Sequence, residues 1–251
     1  MATKKAETGT LHIDALKQGR VTLRMIGSTP LYFNSMSAKA MRTLLVGGGK
    51  KTAAERKEVK HNPEAEYRDS VYRLPDGPTL LGFPAPGVKG AMATAALETA
   101  GITKTSVQRL IFLPEQKIRV WGTPYLKMDV VRSADMNRTP DVRTRAYLQR
   151  WCAEVTIAYV QPTLSMQSIV SLLANAGAIV GIGDFRQEKG RGSFGTFSVC
   201  GDQDQNDLWD ELTQHEGRDA QAFALENPTP ADDTTTELMD FLSEERIRRA
   251  A

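Results

Sequence analysis

The clearest alternation of apolar and polar positions runs over residues 149–160, where Trp151, Ala153, Val155, Ile157 and Tyr159 share one face. A period of two predicts a strand with that face in the core, and Pro162 ends it. Ser165 then stands where it can cap a helix over 166–178, whose apolar positions Ile169, Leu172, Leu173 and Ala176 fall at helical spacing. A glycine-rich loop and the strand-like 194–199 complete a strand–helix–loop–strand unit. Upstream, 21–26 alternates as a first strand. Residues 35–46 predict a helix with Met36, Ala40, Met41, Leu44 and Leu45 as its apolar stripe. Residues 67–74 read as a strand, broken by Pro75-Asp-Gly-Pro78. A short apolar piece at 79–83 precedes 84–97, a tight loop feeding a helix of small residues suited to close packing. Segments 116–121 and 127–132 are short strands around Gly122-Thr-Pro124, whereas 133–145 is polar and carries Arg138, Arg143 and Arg145.

Composition adds boundaries. A hydrophobic share of 41% with 25% charged residues suits an ordinary globular chain. No apolar run approaches the roughly 18–20 residues that span a bilayer, so no membrane partner is expected. Met1-Ala-Thr-Lys-Lys has no apolar segment behind it and does not read as a secretory signal. Cys152 and Cys200 are too few for a disulfide framework, which points to a reducing compartment. Charge is divided unevenly. Residues 1–199 hold 28 Lys and Arg against 16 Asp and Glu, a net of +12; residues 200–251 hold 4 against 14, a net of −10. A basic body implies a polyanion partner. The acidic 200–251 reads as a tail, with a linker at 227–236 and one possible terminal helix, that can bind a partner protein or compete with the polyanion.

The run Gly181-Ile-Gly-Asp-Phe-Arg-Gln-Glu-Lys-Gly-Arg-Gly-Ser-Phe-Gly195 carries the most specific chemistry. Five glycines in fifteen residues let another backbone approach closely. Arg186, Lys189 and Arg191 bring positive charge to that approach, and Phe185 and Phe194 bring flat faces. The first set suits phosphates and the second suits unstacked bases. Other chemistries fail on spacing. Gly47-Gly-Gly-Lys-Lys-Thr52 lacks the first glycine and the hydroxyl of a phosphate-binding Walker loop. His12, His61 and His215 are dispersed, so neither a metal nor a cofactor is expected. Asp129, Asp135 and Asp141 punctuate an arginine-rich region and suit local pairing better than catalysis.

Two motifs together resemble a family. The glycine-arginine loop between a last helix and a last strand is similar to the C-terminal signature of the RAMP superfamily, the RNA-binding backbone subunits of CRISPR effector complexes. Leu81-Gly-Phe-Pro-Ala-Pro-Gly-Val-Lys-Gly-Ala-Met92 resembles that family's Pro-x-x-x-x-Lys-Gly-Ala segment before a helix. The resemblance covers roughly residues 20–199. It implies an α+β fold with a ferredoxin-like, RRM-type core, an antiparallel sheet and large insertions, here at 47–66 and 122–147. It also implies that Lys89 joins Arg186, Lys189 and Arg191 on phosphates, and that Met128 or Met136 wedges between bases. Arg42, Lys50, Lys51, Arg132, Arg138, Arg143 and Arg145 extend the expected nucleic-acid surface.

Two departures shape the functional expectation. Residues 28–35 lack the aspartate that cutting members carry after the first strand, and the acidic tail has no counterpart in the common pattern. A non-catalytic protein that coats single-stranded RNA or DNA as an oligomer is therefore expected. It would be a CRISPR-type backbone subunit or a phage or mobile-element relative, in a bacterial or phage-infected cytoplasm. Two alternatives stay open: a protein-interaction or assembly component mimicking a backbone subunit, and a RAMP-type endoribonuclease using His12 or His61.

Overall fold

The structure, a computed structural model, describes residues 15–46, 61–132, 139–189 and 192–250. In chain order, β1 (Lys17–Gly27) and β2 (Leu31–Tyr32) lead to α1 (Ala38–Val46). Next come α2 (Pro63–Asp69), β3 (Tyr72–Arg73), β4 (Leu81–Pro84), α3 (Ala85–Ala95), α4 (Lys104–Leu110) and β5 (Ile111–Phe112). β6 (Lys117–Trp121), β7 (Pro124–Arg132), β8 (Pro140–Leu148) and β9 (Cys152–Gln161) are followed by α5 (Met166–Ile179) and β10 (Phe197–Val199). Three helices finish the described chain: α6 (Gln203–His215), α7 (Arg218–Glu226) and α8 (Asp233–Ala250).

The succession β1–α3–β6–β9–α5–β10 is the βαββαβ unit of a ferredoxin-like core. Its strands lie in the order β10-β1-β9-β6, each antiparallel to its neighbours. β4 and β3 extend the sheet past β6, and β5 pairs with β9 alongside β6. The fold is thus α+β with an antiparallel sheet. The β1–β9 ladder, Lys17↔Gln161 to Ile26↔Cys152, is its spine. Trp151, Ala153, Val155, Ile157 and Tyr159 are all buried, and Ser165 caps α5 by accepting from Ser168 N at 3.1 Å. α5 buries Ile169, Leu172, Leu173 and Ala176. It lies so close to β10 that a Cβ on Gly177 would stand 2.0 Å from the Phe197 carbonyl oxygen.

Between β6 and β9 the chain inserts the β7–β8 hairpin, which joins β2 in a second, three-stranded sheet. Segment 67–74, which alternates like one strand, divides: 67–69 end a helix, and Tyr72–Arg73 form the short strand β3. Asn62 caps α2 by accepting from Ala65 N at 3.3 Å, Pro63 opens it, and Glu64 and Glu66 sit in its first turn. Those start signals outweigh the alternation. Met128, one of the two expected wedges, is buried in the core; Met136 lies outside the described residues. The stripe on α1 faces outward, with Met41, Leu44 and Leu45 exposed at 48%, 71% and 87%.

Residues 200–251 differ most from expectation: in place of a tail, helices α6 to α8 are docked on the body. Asp202 and Gln205 form a capping box for α6, so the polar run after Cys200, expected as tail, starts a helix. Trp209 packs edge-on against Trp121 at 5.3 Å, with the Arg24 guanidinium 5.0 Å over its ring. Gln221 on α7 is fully buried. Its side-chain oxygen accepts from Leu80 N and Leu81 N, and its amide reaches the carbonyls of Val120, Gly122 and Glu216. Residues 229–231 bond to β7 through Leu126 N to Thr229 O and Ala231 N to Leu126 O, each 2.8 Å. Asp232 then pairs with Lys127 and accepts from Thr235 N at 2.9 Å, which fixes the start of α8.

Two stability predictions follow from this docked layer. Gln221→Ala leaves buried backbone groups of β4 and β6 unpaired, and urea unfolding should show a loss of about 3 kcal/mol. The Lys127 ammonium and the Thr235 donors hold the Asp232 carboxyl at about 2, below its ordinary 3.8. A depressed carboxyl stabilises the fold fully above pH 3.8, and that contribution fades as pH falls towards 2. An acid titration of thermal stability should be shallower for Asp232→Asn than for the wild type across that window.

Candidate functional site

Two depressions adjoin the glycine loop, one directly and one through the bond from Asn34 to Asp184. The first is a groove of about 390 Å³ between α3 and residues 181–188, walled by Gly87, Gly90 and Ala91 on one side and Gly181 and Gly183 on the other. The small-residue pattern of α3 keeps this wall low. Gly183 is required for a different reason: its φ is +87°, and a Cβ there would stand 2.6 Å from the Tyr32 carbonyl oxygen. At Gly90 an added Cβ meets nothing within 4 Å, so that wall opens into free space. Lys104, exposed at the start of α4, and Arg186 stand at the groove's rims.

The second depression is a cleft of about 500 Å³ lined by Asn34, Ser35, His61, Glu66, Asp141 and Arg143, among others. His61 Nδ1 lies 2.9 Å from Glu66 Oε1, and its Nε2 lies 3.1 Å from Asp141 Oδ1. Both ring nitrogens of His61 thus face a carboxylate. Among the described residues, no group of three or more His, Cys, Asp or Glu is placed to hold a metal ion.

Arg145 separates the two. Its side chain is 2% exposed, and its guanidinium donates to Asp129 Oδ2 at 3.1 Å and to Asp184 Oδ2 at 2.6 Å. It also lies 4.9 Å over the Tyr32 ring and 4.3 Å over that of Phe185. Phe194 closes this cluster, edge-on to Tyr32 at 5.0 Å. Burial, with Asp129 adding to it, pushes the Tyr32 phenol well above its ordinary pKa. Phe185 takes a positive φ of 52°, held by a bond from its N to Asp184 Oδ1 at 3.0 Å. Such backbone strain concentrates where a loop is held in one shape.

This geometry redistributes the residues singled out from sequence. Arg145 is a buried support and not a strand contact. Phe185 and Phe194, half-buried, contribute their rings to the same support. Arg186 is present at the groove but committed: its Nε donates to Glu188 Oε2 at 2.7 Å and its Nη1 to Gly183 O at 3.0 Å. Lys89 donates to Gln108 O at 2.9 Å and lies 5.5 Å from the Phe112 ring centroid. Lys189 belongs to a single 3₁₀ turn, Gln187–Lys189. Arg143 is exposed at the cleft, Arg132 is exposed at the end of β7, and Arg42 is exposed on α1. Lys50, Lys51, Arg138, Arg191, Asp135 and His12 lie outside the described residues. Asp129 does pair locally, with Arg145. Lys104 escaped the sequence reading, since a lone lysine opening a short helix gives no signal until α4 is seen beside the groove.

No protein-family model matches the chain, and no curated protein matches it. Among solved structures it is similar to Cmr6 from Pyrococcus furiosus, with a TM-score of 0.38 and 8% identity over 73% of this chain and 98% of that one. At that level the likeness carries no argument about the site; the fold rests on the strand order above. Among the described residues, no helix is long and apolar enough to cross a membrane.

Removing the buried cation should expose its structural role. Arg145→Ala leaves Asp129 and Asp184 facing each other without a counter-ion, and thermal or urea unfolding should register a loss of about 3–5 kcal/mol. A variant as stable as the wild type would show that the hub carries no such weight.

Proposed function

We propose that the chain binds single-stranded RNA or DNA without cutting it, along the groove between α3 and the glycine loop. The groove is the observation that carries this: backbone and small side chains form both walls, and cations stand at the rims. A sugar-phosphate backbone can approach such walls closely, and phosphates are met there by Lys104 and Arg186. The net +12 of residues 1–199 draws the polyanion in. Because contacts of this kind are mostly to phosphate, affinity should depend little on sequence and steeply on salt. Assembly of several copies along one strand, as in the RAMP-like backbone subunits that the sequence motifs resemble, belongs to the same proposal. The docked helices α6 to α8 neutralise part of the basic body and are not a detachable competitor for the strand.

A second reading, a protein-interaction component, is favoured by the exposed Met41, Leu44 and Leu45 of α1. A high ratio of 260 to 280 nm absorbance in the purified protein favours the strand-binding reading over this one.

Fluorescence anisotropy with matched single-stranded RNA, single-stranded DNA and duplex across a salt series tests the proposal. Salt-steep binding to a single strand is expected, and no binding to any of the three at low salt would reject it. Gly90→Gln fills the groove from a position with open space. It should cut affinity about tenfold or more while stability stays equal or rises, glycine being a poor helix former. Lys104→Ala with Arg186→Ala should flatten the salt slope by about 1.4, the value for two lost phosphate contacts on a single strand. Glu188→Gln releases Arg186 and should tighten binding by about threefold, the scale of one exposed ion pair.

A further inference from the structure

On the other side of the first turn of α3 lies a second concavity, of about 650 Å³, that the groove does not include. Its walls are largely apolar: Tyr72, Pro84, Pro86, Phe112, Leu113 and Pro114. Lys89 and Lys117 stand at its edge, with Glu115 beside them. Pro86 lines both this pocket and the groove, so the two adjoin across the first turn of α3.

Phe112 is the unusual residue here. β5 is two residues long; Ile111 enters the core at 0% exposure while Phe112 points the opposite way and is 44% exposed. A two-residue strand needs only one of its side chains buried. The second can be polar at no cost to the core, yet here it is a phenyl ring. Lys89 holds its ammonium 5.5 Å from that ring while donating to the Gln108 carbonyl. Lys117 Nζ is held on the Arg73 carbonyl at 2.7 Å. One anchored cation, Lys89, therefore lies over the phenyl ring of the half-exposed Phe112, and a second, Lys117, lines the same largely apolar concavity.

We infer that this pocket takes one unstacked nucleobase of the strand bound in the groove, stacked against Phe112, with Lys89 and Lys117 on the flanking phosphates. The occupant's chemistry follows from the walls. A phosphate inside the pocket would meet proline and phenyl surface and the Glu115 carboxylate, whereas a base offers a flat apolar face to the ring and can give an N–H of its edge to that carboxylate. Stacking of this kind tolerates any base, consistent with sequence-independent binding. The inference rests on the strand-binding proposal above and adds to it a contribution from the bases, which phosphate contacts alone do not give.

The test uses the full chain and two labelled single strands of equal length, one ordinary and one of abasic sugar-phosphate, by anisotropy at fixed low salt. Wild type should bind the ordinary strand about tenfold more tightly, the scale of one stacked base. Phe112→Ala should lower that preference to within about twofold while leaving abasic affinity unchanged. Phe112→Trp, which keeps a flat face, should retain the preference. Gly90→Gln, by contrast, should weaken both strands together, which separates the pocket from the groove. If Phe112→Ala keeps the wild-type preference, or loses both strands equally, the base pocket is wrong while the groove stands; the apolar concavity then belongs to a protein partner. Wild type that binds neither strand overturns the groove, and the pocket with it.

Discussion

A single buried guanidinium ties three parts of the molecule together. Arg145 comes from the inserted hairpin, Asp184 from the glycine loop, and Tyr32 from the short strand after β1; the cation is bonded to the first partner and stacked on the second. Asp129, on the neighbouring strand, supplies the other counter-charge. Placing a charge at 2% exposure is unfavourable unless it is compensated, and here both terminal nitrogens are bonded to carboxylates and two aromatic faces cover the group, while Nε has no hydrogen-bond partner among the described residues. The described start of the glycine loop is therefore held at Asp184 and Phe185 despite its composition. Its glycines supply backbone freedom, and the arginine behind them selects one conformation out of that freedom.

The same logic of charge set against charge explains the C-terminal layer. A body of +12 and a segment of −10 attract each other within one chain, and the contacts are specific. Arg150 bonds to Glu211 and Glu216, Lys127 to Asp232, and Arg24 covers Trp209. Exposed pairs contribute little individually, so the layer is held mainly by buried Trp209, Leu212 and Leu225 and by the Gln221 network. The ion pairs set its orientation. They also take positive surface away from the polyanion.

Legibility in the sequence followed the range of the forces involved. α5 could be read almost to the residue and β9 to within three residues at its start, because one-sided burial imprints a period on the chain and Ser165 marks the helix start. The ferredoxin-like order was accessible through the motifs flanking α3 and α5. The helix over Pro63–Asp69 was hidden by residues that also alternate, and only the Asn62-Pro63 start signal distinguishes it. β8 was hidden for the opposite reason. Its arginines look like surface until Asp129 and Asp184 are brought beside one of them. The docking of α6 to α8 was illegible since their partners, Trp121, Leu80 and Leu126, lie some 80 to 140 residues away. The groove shared that fate in part: its glycines were conspicuous, whereas Lys104 and the Glu188 that restrains Arg186 acquire meaning only from their neighbours in space.

The spine of the sheet has one more effect, on how the molecule is made. Residues 17–26 find their partners only at 152–161, and β10 must then close on the far side of β1. Pairings between such distant segments form slowly, since the intervening loop has to be closed before any contact stabilises it. During synthesis, β1 therefore waits, with Leu23, Met25 and Ile26 uncovered, until more than 160 residues have emerged. An apolar strand left unpaired for that long is open to association with other chains, a hazard that the stability of the finished fold does not remove.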